Sequence, residues 1–387
     1  MDGYVFSFKR RERAINLKTE KRVCHLTSAH PRTDTRIFLK ECRTLAGNGY
    51  SVSLVVADGL ENEYREGVCV YDVGASHGRI DRIWNASRRV FDKAVTLNAD
   101  IYHLHDPELI PIGLKLKRMG KTVIFDSHED VPKQFIEKPY LNRPLRWLIA
   151  RVLAAYQAIA CSRFDAIVTS TPFIRDKFLS INDLTVDINN FPMLGELETA
   201  TEWRDRQQEV CYIGCIDVIR GIREMVSAMT MVKSGVRLQL AGTFSEPDVE
   251  KDVKKYSGWS RVDALGYLDR TAVREVLSRS IAGLVTLHPA IHYIDALPVK
   301  MFEYMSAGIP VIASHFPLWR AIIEGKDCGI CVDPLNPKAI AGAIDYLINH
   351  PEWARRMGKN GRHAVHNCYN WSIEEEKLLG LYKAVWK

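Results

Sequence analysis

The chain of 387 residues has few features of a membrane-spanning or secreted protein. No apolar run reaches the roughly 20 residues that a membrane-spanning helix needs, because Arg146 and Arg151 interrupt the nearest candidate at 145–161. The first residues are polar and basic, and they contain no apolar segment of the kind that a secretory signal peptide carries. We therefore expect a cytoplasmic protein.

Paired cysteines are also scarce. The nine cysteines are an odd number scattered along the chain, which is not the pattern of a disulfide framework. Cys328 and Cys331 have the spacing of metal ligands, but no second such pair and no histidine pair accompanies them. We interpret these two residues as small apolar residues of a strand, and we expect free thiols.

The positive charges of this chain do not follow the pattern that is typical of nucleic-acid-binding proteins. The net charge of +6 is concentrated in residues 1–22, which hold seven Lys or Arg and three acidic residues. Elsewhere Lys and Arg do not cluster with aromatic residues, so nucleic-acid binding is disfavoured. We interpret this basic arm first as a solvated segment and alternatively as a contact with anionic lipid.

The sequence does contain a long alternation of short apolar runs and amphipathic segments, including long helices predicted at 79–97 and 144–162. Such alternation predicts an α/β fold with parallel, doubly wound sheets. A linker near 191–208 separates two series, which predicts two Rossmann-like domains that face a central cleft. The predicted boundaries are a basic arm at 1–22, a first domain at 23–190, a second domain at 205–369 and a final helix at 370–387.

The stretch 281–314 concentrates ionisable residues between two buried strands. A strand is predicted at 281–287, followed by a helix with Pro298 in its first turn and Gly308 at its end. Asp295, Lys300 and Glu303 then lie at the carboxyl end of a strand and around a helix N-terminus. Open α/β sheets bind ligands at this position, and spare backbone N–H groups favour an anionic phosphate there.

The run from Glu303 to Ser314, Glu-Tyr-Met-Ser-Ala-Gly-Ile-Pro-Val-Ile-Ala-Ser, resembles the signature of retaining glycosyltransferases of the GT-B class, family 4. That family carries two acidic residues eight positions apart. Here Asp295 and Glu303 give Asp-x7-Glu in place of Glu-x7-Glu, with the charge kept and one side chain shortened. The resemblance implies a GT-B fold, with the last helix crossing back onto the first domain.

The resemblance also implies roles in nucleotide-sugar binding. Glu303 is expected to bind ribose hydroxyls. The diphosphate is expected to contact the backbone of Leu297, Pro298 and Val299. The base is expected to contact the backbone of Tyr267 and Leu268.

A second glycine-bearing turn follows the strand predicted at 210–213. Gly214 lets a diphosphate approach the backbone before the next helix begins. In the family an arginine is usual where this chain has Cys215, whereas Arg220-Gly221 matches the family's Lys-Gly. We therefore predict that Arg220 and Lys300 neutralise the departing nucleoside diphosphate.

Three loops of the first domain follow predicted strands and are rich in histidine and carboxylate, a composition that suits recognition of sugar hydroxyls. His105 resembles the family histidine that lies by the donor sugar, and Asp295 could stabilise an oxocarbenium-like sugar. The histidines could instead form a metal site, but the family uses no Asp-x-Asp metal site and the chain has none, so neither a metal nor another cofactor is expected. The predicted acceptor and sugar contacts are Asp34, Arg36, Lys40, Asp106, His128 and Glu129.

The resemblance implies a retaining, metal-independent hexosyltransferase-type enzyme that uses a UDP- or GDP-linked sugar and a glycan or lipid-linked glycan acceptor. Residues 30–41 resemble those of bacterial enzymes that build O-antigen or capsule. A peripheral contact with the cytoplasmic face of the inner membrane would involve the basic arm and the helix at 144–162 with Trp147, although core packing of that helix is favoured. The alternatives are a GT-B-like epimerase or hydrolase of UDP-sugars and a non-catalytic nucleotide-sugar-binding subunit.

Overall fold

The computed structural model describes residues 21–136, 142–199 and 201–386, which form two α/β halves. Most of the predicted basic arm at 1–22 lies outside the described residues, which include only Lys21 and Arg22 of it. All nine cysteines are free thiols. Among the described residues, no helix has both the length and the apolar character needed to cross a bilayer.

The first half is built on an eight-stranded sheet in which the strand order is β3-β4-β2-β1-β5-β6-β7-β8. Every pairing is parallel except that of β3 with β4. Its strands are β1 (Arg22–Leu26), β2 (Ser51–Val56), β3 (Glu63–Arg65), β4 (Val68–Asp72), β5 (Ile101–Leu104), β6 (Thr122–Ser127), β7 (Ala166–Thr169) and β8 (Thr185–Asp187). Its helices are α1 (Arg43–Gly47), α2 (Gly78–Asp81), α3 (Ser87–Leu97), α4 (Ile110–Arg118), α5 (Val131–Ile136), α6 (Arg143–Cys161) and α7 (Pro172–Leu179).

The second half has a six-stranded, wholly parallel sheet in the order β11-β10-β9-β12-β13-β14. Its strands are β9 (Glu209–Ile213), β10 (Arg237–Ala241), β11 (Val262–Gly266), β12 (Ala282–Val285), β13 (Val311–Ser314) and β14 (Gly329–Val332). Its helices are α8 (Ile222–Met231), α9 (Pro247–Val253), α10 (Arg270–Arg279), α11 (Ile291–Ile294), α12 (Val299–Ser306), α13 (Pro317–Ile323), α14 (Pro337–Asn349) and α15 (Pro351–Cys368). The predicted doubly wound α/β architecture is confirmed.

The last helix, α16 (Trp371–Val385), crosses back onto the first half as predicted. Leu378 and Tyr382 are fully buried and belong to the apolar core that covers β1 and β2. Trp371 also donates from Nε1 to Thr44 Oγ1 over 3.0 Å. The end of the chain therefore completes the core of the half in which the chain begins.

Two local predictions differ from the structure. The single helix predicted at 79–97 is instead α2 and α3 joined by a π-helical turn, Arg82–Ala86, and the short strands β3 and β8 were not predicted. With only three residues each, these edge strands give too short a pattern to recognise. The predicted end of α12 is confirmed, since Gly308 has φ +72° and can adopt this left-handed conformation without strain.

Replacing Leu378 by Ala should lower the free energy of unfolding of the first half by about 2–5 kcal/mol, because a fully buried side chain leaves a cavity. The matched control is Glu376→Ala on the exposed side of α16, which should change it by less than about 0.5 kcal/mol. Urea unfolding followed by fluorescence measures both. Equal effects of the two changes would contradict the docking of α16.

Candidate functional site

The carboxyl ends of both parallel sheets face a cavity of about 280 Å³ between the two halves. The first half contributes loops after β1, β6 and β7, and the second half contributes α11 and the start of α12. A larger cavity of about 970 Å³ lies beside α15 and contains none of the predicted site residues. The residues that line the inter-half cavity include Asp34, Arg36, His128, Glu129, Lys133, Tyr293, Asp295, Leu297 and Val299.

Two glycines form the turn between β9 and α8. Gly214 has φ +130° and Gly221 has φ +83°, a region that side chains rarely adopt. A Cβ atom at Gly221 would collide with the backbone carbonyl of Thr286, and one at Gly214 would lie 3.0 Å from Lys300 Nζ. The turn therefore leaves open backbone beside the start of a helix, as phosphate sites require.

Lys300 places a cation against this turn. Its Nζ is buried, lies 3.8 Å from the ring centroid of Tyr212, and has no hydrogen-bond partner among the described residues. Burial, followed by the nearby charge of Arg220, lowers the pKa of Lys300 to about 7. Because an unpartnered buried ammonium is costly, this position suits an incoming anion.

Arg220 is the second cation at the turn. Its Nε lies 3.3 Å from Asp217 Oδ2 and 3.4 Å from the Tyr293 hydroxyl. Burial acts to lower the pKa of Arg220, but Tyr293 and Asp217 leave it above its ordinary value, so the guanidinium stays charged. The structure thus brings together Gly214, Arg220 and Lys300, which the sequence placed in two separate motifs.

Glu303 is held by an arginine that the sequence analysis missed. Arg270 Nη1 donates to Glu303 Oε1 over 2.7 Å, and Arg270 Nε donates to Glu196 Oε1 over the same distance. Burial lowers the pKa of Lys40 to about 8 against the opposing charges of Glu303 and Glu196. Lys40 itself donates to Asn190 Oδ1 over 2.5 Å, so Glu303 acts on it through charge and not through a hydrogen bond.

Asp295 lies at the cavity and makes an ion pair across it. Its Oδ2 is 3.1 Å from Lys133 Nζ on α5, a residue that the sequence analysis did not select. The neighbouring backbone is fixed because Trp319 Nε1 donates to the carbonyl of Ala296 over 2.7 Å. Tyr267, predicted to lie by the base, is 81% exposed, and Leu268 packs partly against the core.

In the first half, a buried ion pair organises the predicted acceptor loops. Arg36 donates to both carboxylate oxygens of Asp126 over 2.8 and 3.0 Å and to the carbonyl of Ile188. Burial acts to raise the pKa of Asp126, but Arg36 and His128 hold it well below its ordinary value. Asp34 accepts from the backbone N–H groups of Arg36 and Ile37, which fixes the start of this segment.

His105 and Asp106 do not reach the surface of the cavity. The His105 imidazole is fully buried, and burial lowers its pKa to about 4. Asp106 accepts from Thr27 Oγ1 and the Ser28 backbone over 2.8 and 2.6 Å. Both residues position the surrounding loops, while His128 faces the cavity; direct contact of either buried residue with sugar stays a prediction.

Comparison with known families covers both halves. Residues 35–185 match the family described as Glycosyltransferase Family 4, and residues 196–364 match the family described as Glycosyl transferases group 1. Together with the fold, these matches show that the chain belongs to the GT-B glycosyltransferases.

Similar proteins agree with this class. The chain is 21% identical over 300 residues to an uncharacterized glycosyltransferase, MJ1607, of Methanocaldococcus jannaschii, with 73% of this chain and 75% of the relative covered. A sucrose-phosphate synthase from Thermosynechococcus elongatus is similar in structure, with a TM-score of 0.77, 18% identity and coverage of 95% and 99% of the two chains. Anabaena Alr3699/HepE in complex with UDP-glucose gives a TM-score of 0.73, 13% identity and coverage of 94% and 99%.

Replacing Arg36 by Met should destabilise the first half by about 3–5 kcal/mol, because the buried Asp126 carboxylate loses the guanidinium that pairs with both of its oxygens. Arg88→Met is the matched control, since Arg88 is 83% exposed and lies 4.0 Å from Asp92. Its effect should stay below about 0.5 kcal/mol. Urea unfolding compares the two, and a small loss for Arg36→Met would show that the ion pair does not organise the loops.

Proposed function

We propose that the chain is a retaining glycosyltransferase that moves a sugar from a UDP- or GDP-linked donor to a glycan or lipid-linked glycan acceptor. The observation that carries this proposal is the buried Lys300 Nζ without a hydrogen-bond partner, beside Arg220 and the open turn at Gly214. A diphosphate would supply the missing counter-charge. The similarity to a structure in complex with UDP-glucose supports the same type of donor.

The proposed roles follow from the positions of the charges. Arg220, Lys300 and the start of α8 stabilise the negative charge that develops on the departing diphosphate. Glu303, oriented by Arg270, accepts hydrogen bonds from the ribose hydroxyls. Because two protein cations serve the leaving group, we propose that this step needs no metal ion.

On the other side of the cavity, the acceptor enters between His128, Glu129 and Asp295. Asp295 lies within the cavity and would stabilise positive charge on the sugar. The incoming hydroxyl attacks from the face that the phosphate leaves, and the departing phosphate takes its proton, so no nucleophilic carboxylate is used. The resemblance at 30–41 supports an acceptor of the bacterial O-antigen or capsule type.

Helix α6 supports the proposed contact with the cytoplasmic face of the inner membrane. One face of α6 packs as the core packing favoured from the sequence predicts, with Ala150, Ala160 and Cys161 buried. An apolar stripe remains outside, and Arg151 lies over the Trp147 ring. Such a surface suits the interface of an anionic bilayer. The stripe consists of Leu145, Leu148, Val152, Tyr156 and Ile159.

A panel of UDP- and GDP-linked sugars, assayed for nucleotide release with and without glycan and lipid-linked glycan acceptors, tests the function. The proposal expects release that depends on the acceptor and a product with the donor's anomeric configuration, read by NMR coupling constants. Release that is independent of every acceptor would favour a hydrolase or epimerase. Binding without turnover would favour a non-catalytic subunit.

Lys300→Ala should weaken UDP or GDP binding by about 10–100-fold, the effect of removing one charge-assisted hydrogen bond to a phosphate. Lys326→Ala is the control, because Lys326 is an exposed lysine of the same half. Calorimetric titration of both folded variants measures the change. Equal affinity of the two variants for UDP or GDP would show that the diphosphate does not bind at Lys300.

Above pH 7, the protein should take up a proton at Lys300 when it binds a nucleotide. The lowered pKa of about 7 leaves most Lys300 side chains neutral at pH 8, whereas the bound diphosphate favours the ammonium. Affinity should therefore fall as the pH rises above 7. Titration at pH 8 in buffers of different ionisation enthalpy should show uptake of about one proton more for the wild type than for Lys300→Arg; equal uptake would contradict the assignment.

Membrane contact is tested by co-sedimentation with vesicles of anionic or zwitterionic lipid. The wild type should bind the anionic vesicles, and Trp147→Ser with Ile159→Ser should reduce binding by at least about tenfold, since two apolar side chains no longer enter the interface. Trp353→Ser is the matched control, because Trp353 is also exposed, on α15. Equal binding of the α6 variant and the control would exclude α6 as the contact surface.

A further inference from the structure

Beneath the loops of the first half lies a closed group of side chains that the proposed reaction does not use. His25 on β1, His103 on β5 and His105 just after β5 face Glu41, which lies in the π-helical turn Ile37–Cys42. The side chains of all four residues are fully buried. We call these four residues the His3Glu cluster.

The carboxylate of Glu41 is the centre of this cluster. Its Oε2 lies 3.9 Å from each of His25 Nδ1, His103 Nδ1 and His105 Nε2. Arg36 Nε lies 3.2 Å from the other oxygen, Oε1, but neither oxygen accepts a hydrogen bond from the described residues. A buried carboxylate without a hydrogen bond is costly.

The four ligand atoms are close enough for one metal ion. All lie within 4.8 Å of one another, whereas a tetrahedral zinc site with bonds of roughly 2.1 Å places its ligand atoms roughly 3.4 Å apart. The ligand atoms that lie farthest apart would therefore need to move only slightly towards a bound ion. The contact of 2.8 Å between His25 Nδ1 and His105 Nε2 would open slightly.

The surroundings also suit ligation. His105 turns its other nitrogen, Nδ1, towards Asp126 Oδ2 at 3.4 Å, and His25 turns Nε2 towards the Tyr382 hydroxyl at 3.2 Å. Metal-bound histidines commonly have such partners, which fix the ring orientation and the tautomer.

We propose that the His3Glu cluster is a closed structural site for one divalent transition-metal ion of the zinc class. Three imidazoles and one carboxylate are a ligand set that zinc accepts. The ion would join β1, β5 and the π-helical turn next to Tyr382 of α16. This departs from the expectation of no metal, and it does not depend on the proposed function, because the cations for the diphosphate lie in the other half.

Ligation fixes the tautomer of His25. With Nδ1 on the ion, His25 carries its proton on Nε2 and donates it in a hydrogen bond to the Tyr382 hydroxyl. That hydroxyl lies 2.9 Å from His103 Nδ1, and this hydrogen bond would be replaced by the bond from His103 to the ion.

The test is the metal content of the full chain, purified without a histidine tag from zinc-supplemented cells. Mass spectrometry of the metals should find about one equivalent of a zinc-class ion per chain that survives gel filtration. His103→Ala should lose this ion, whereas His363→Ala, an exposed histidine on α15, should keep it. His128→Ala should also keep it, because His128 is not one of the four proposed ligands and belongs to a shallower group that shares only His105 with the His3Glu cluster.

A second measurement, the absorption spectrum of the cobalt-loaded protein, uses only the wild-type chain. It therefore tests the proposal even where a variant fails to fold. Protein produced with Co²⁺ should show the visible absorption bands of a four-coordinate cobalt ion. Wild-type protein with far less than one equivalent of metal and no cobalt bands would overturn the proposal. Loss of the ion from His128→Ala but not from His103→Ala would also overturn it, since the ion would then lie at the cavity.

Discussion

Lys300 carries a buried amino group that has no hydrogen-bond partner in the described part of the protein, and the loops of the second-half site surround this position. The all-parallel sheet brings the end of β9 and the loop after β12 to the same edge. Gly214 leaves room for the Lys300 side chain, and Gly221 lets the chain pass against Thr286 before α8 begins. Larger residues at these two positions would collide with the Thr286 backbone and crowd the Lys300 amino group.

The first half meets this site through charged side chains held by buried ion pairs. Arg36 lies in the same segment as Lys40 and is held in place by an ion pair with Asp126. The charge of Glu303, which belongs to the second half, acts on Lys40 across the cleft. Lys133 of the first half forms a direct, partly exposed ion pair with Asp295 of the second half. Helix α16 follows the second half in the chain but belongs to the core of the first half. The two halves are therefore connected by the polypeptide chain as well as by the ion pair across the cavity.

The class of fold was predictable from the sequence because it depends on local patterns, whereas the roles of the second-half site residues stay predictions. Apolar runs alternate with helices, and Asp295, Lys300 and Glu303 lie within one strand-loop-helix unit. Arg270, Lys133 and Tyr212 were missed because their contacts join residues from 33 to 162 positions apart or depend on how rings stack. The depth of His105 was equally invisible, since a histidine after a strand can face either the cavity or the core.

Equilibrium binding of UDP and GDP to the wild-type chain tests the central claim most directly. The account predicts that one of the two nucleotides binds with a dissociation constant below about 1 mM and raises the melting temperature, because a ligand that binds only the folded state stabilises it. Absence of binding and of any thermal shift with both nucleotides at millimolar concentration would contradict it.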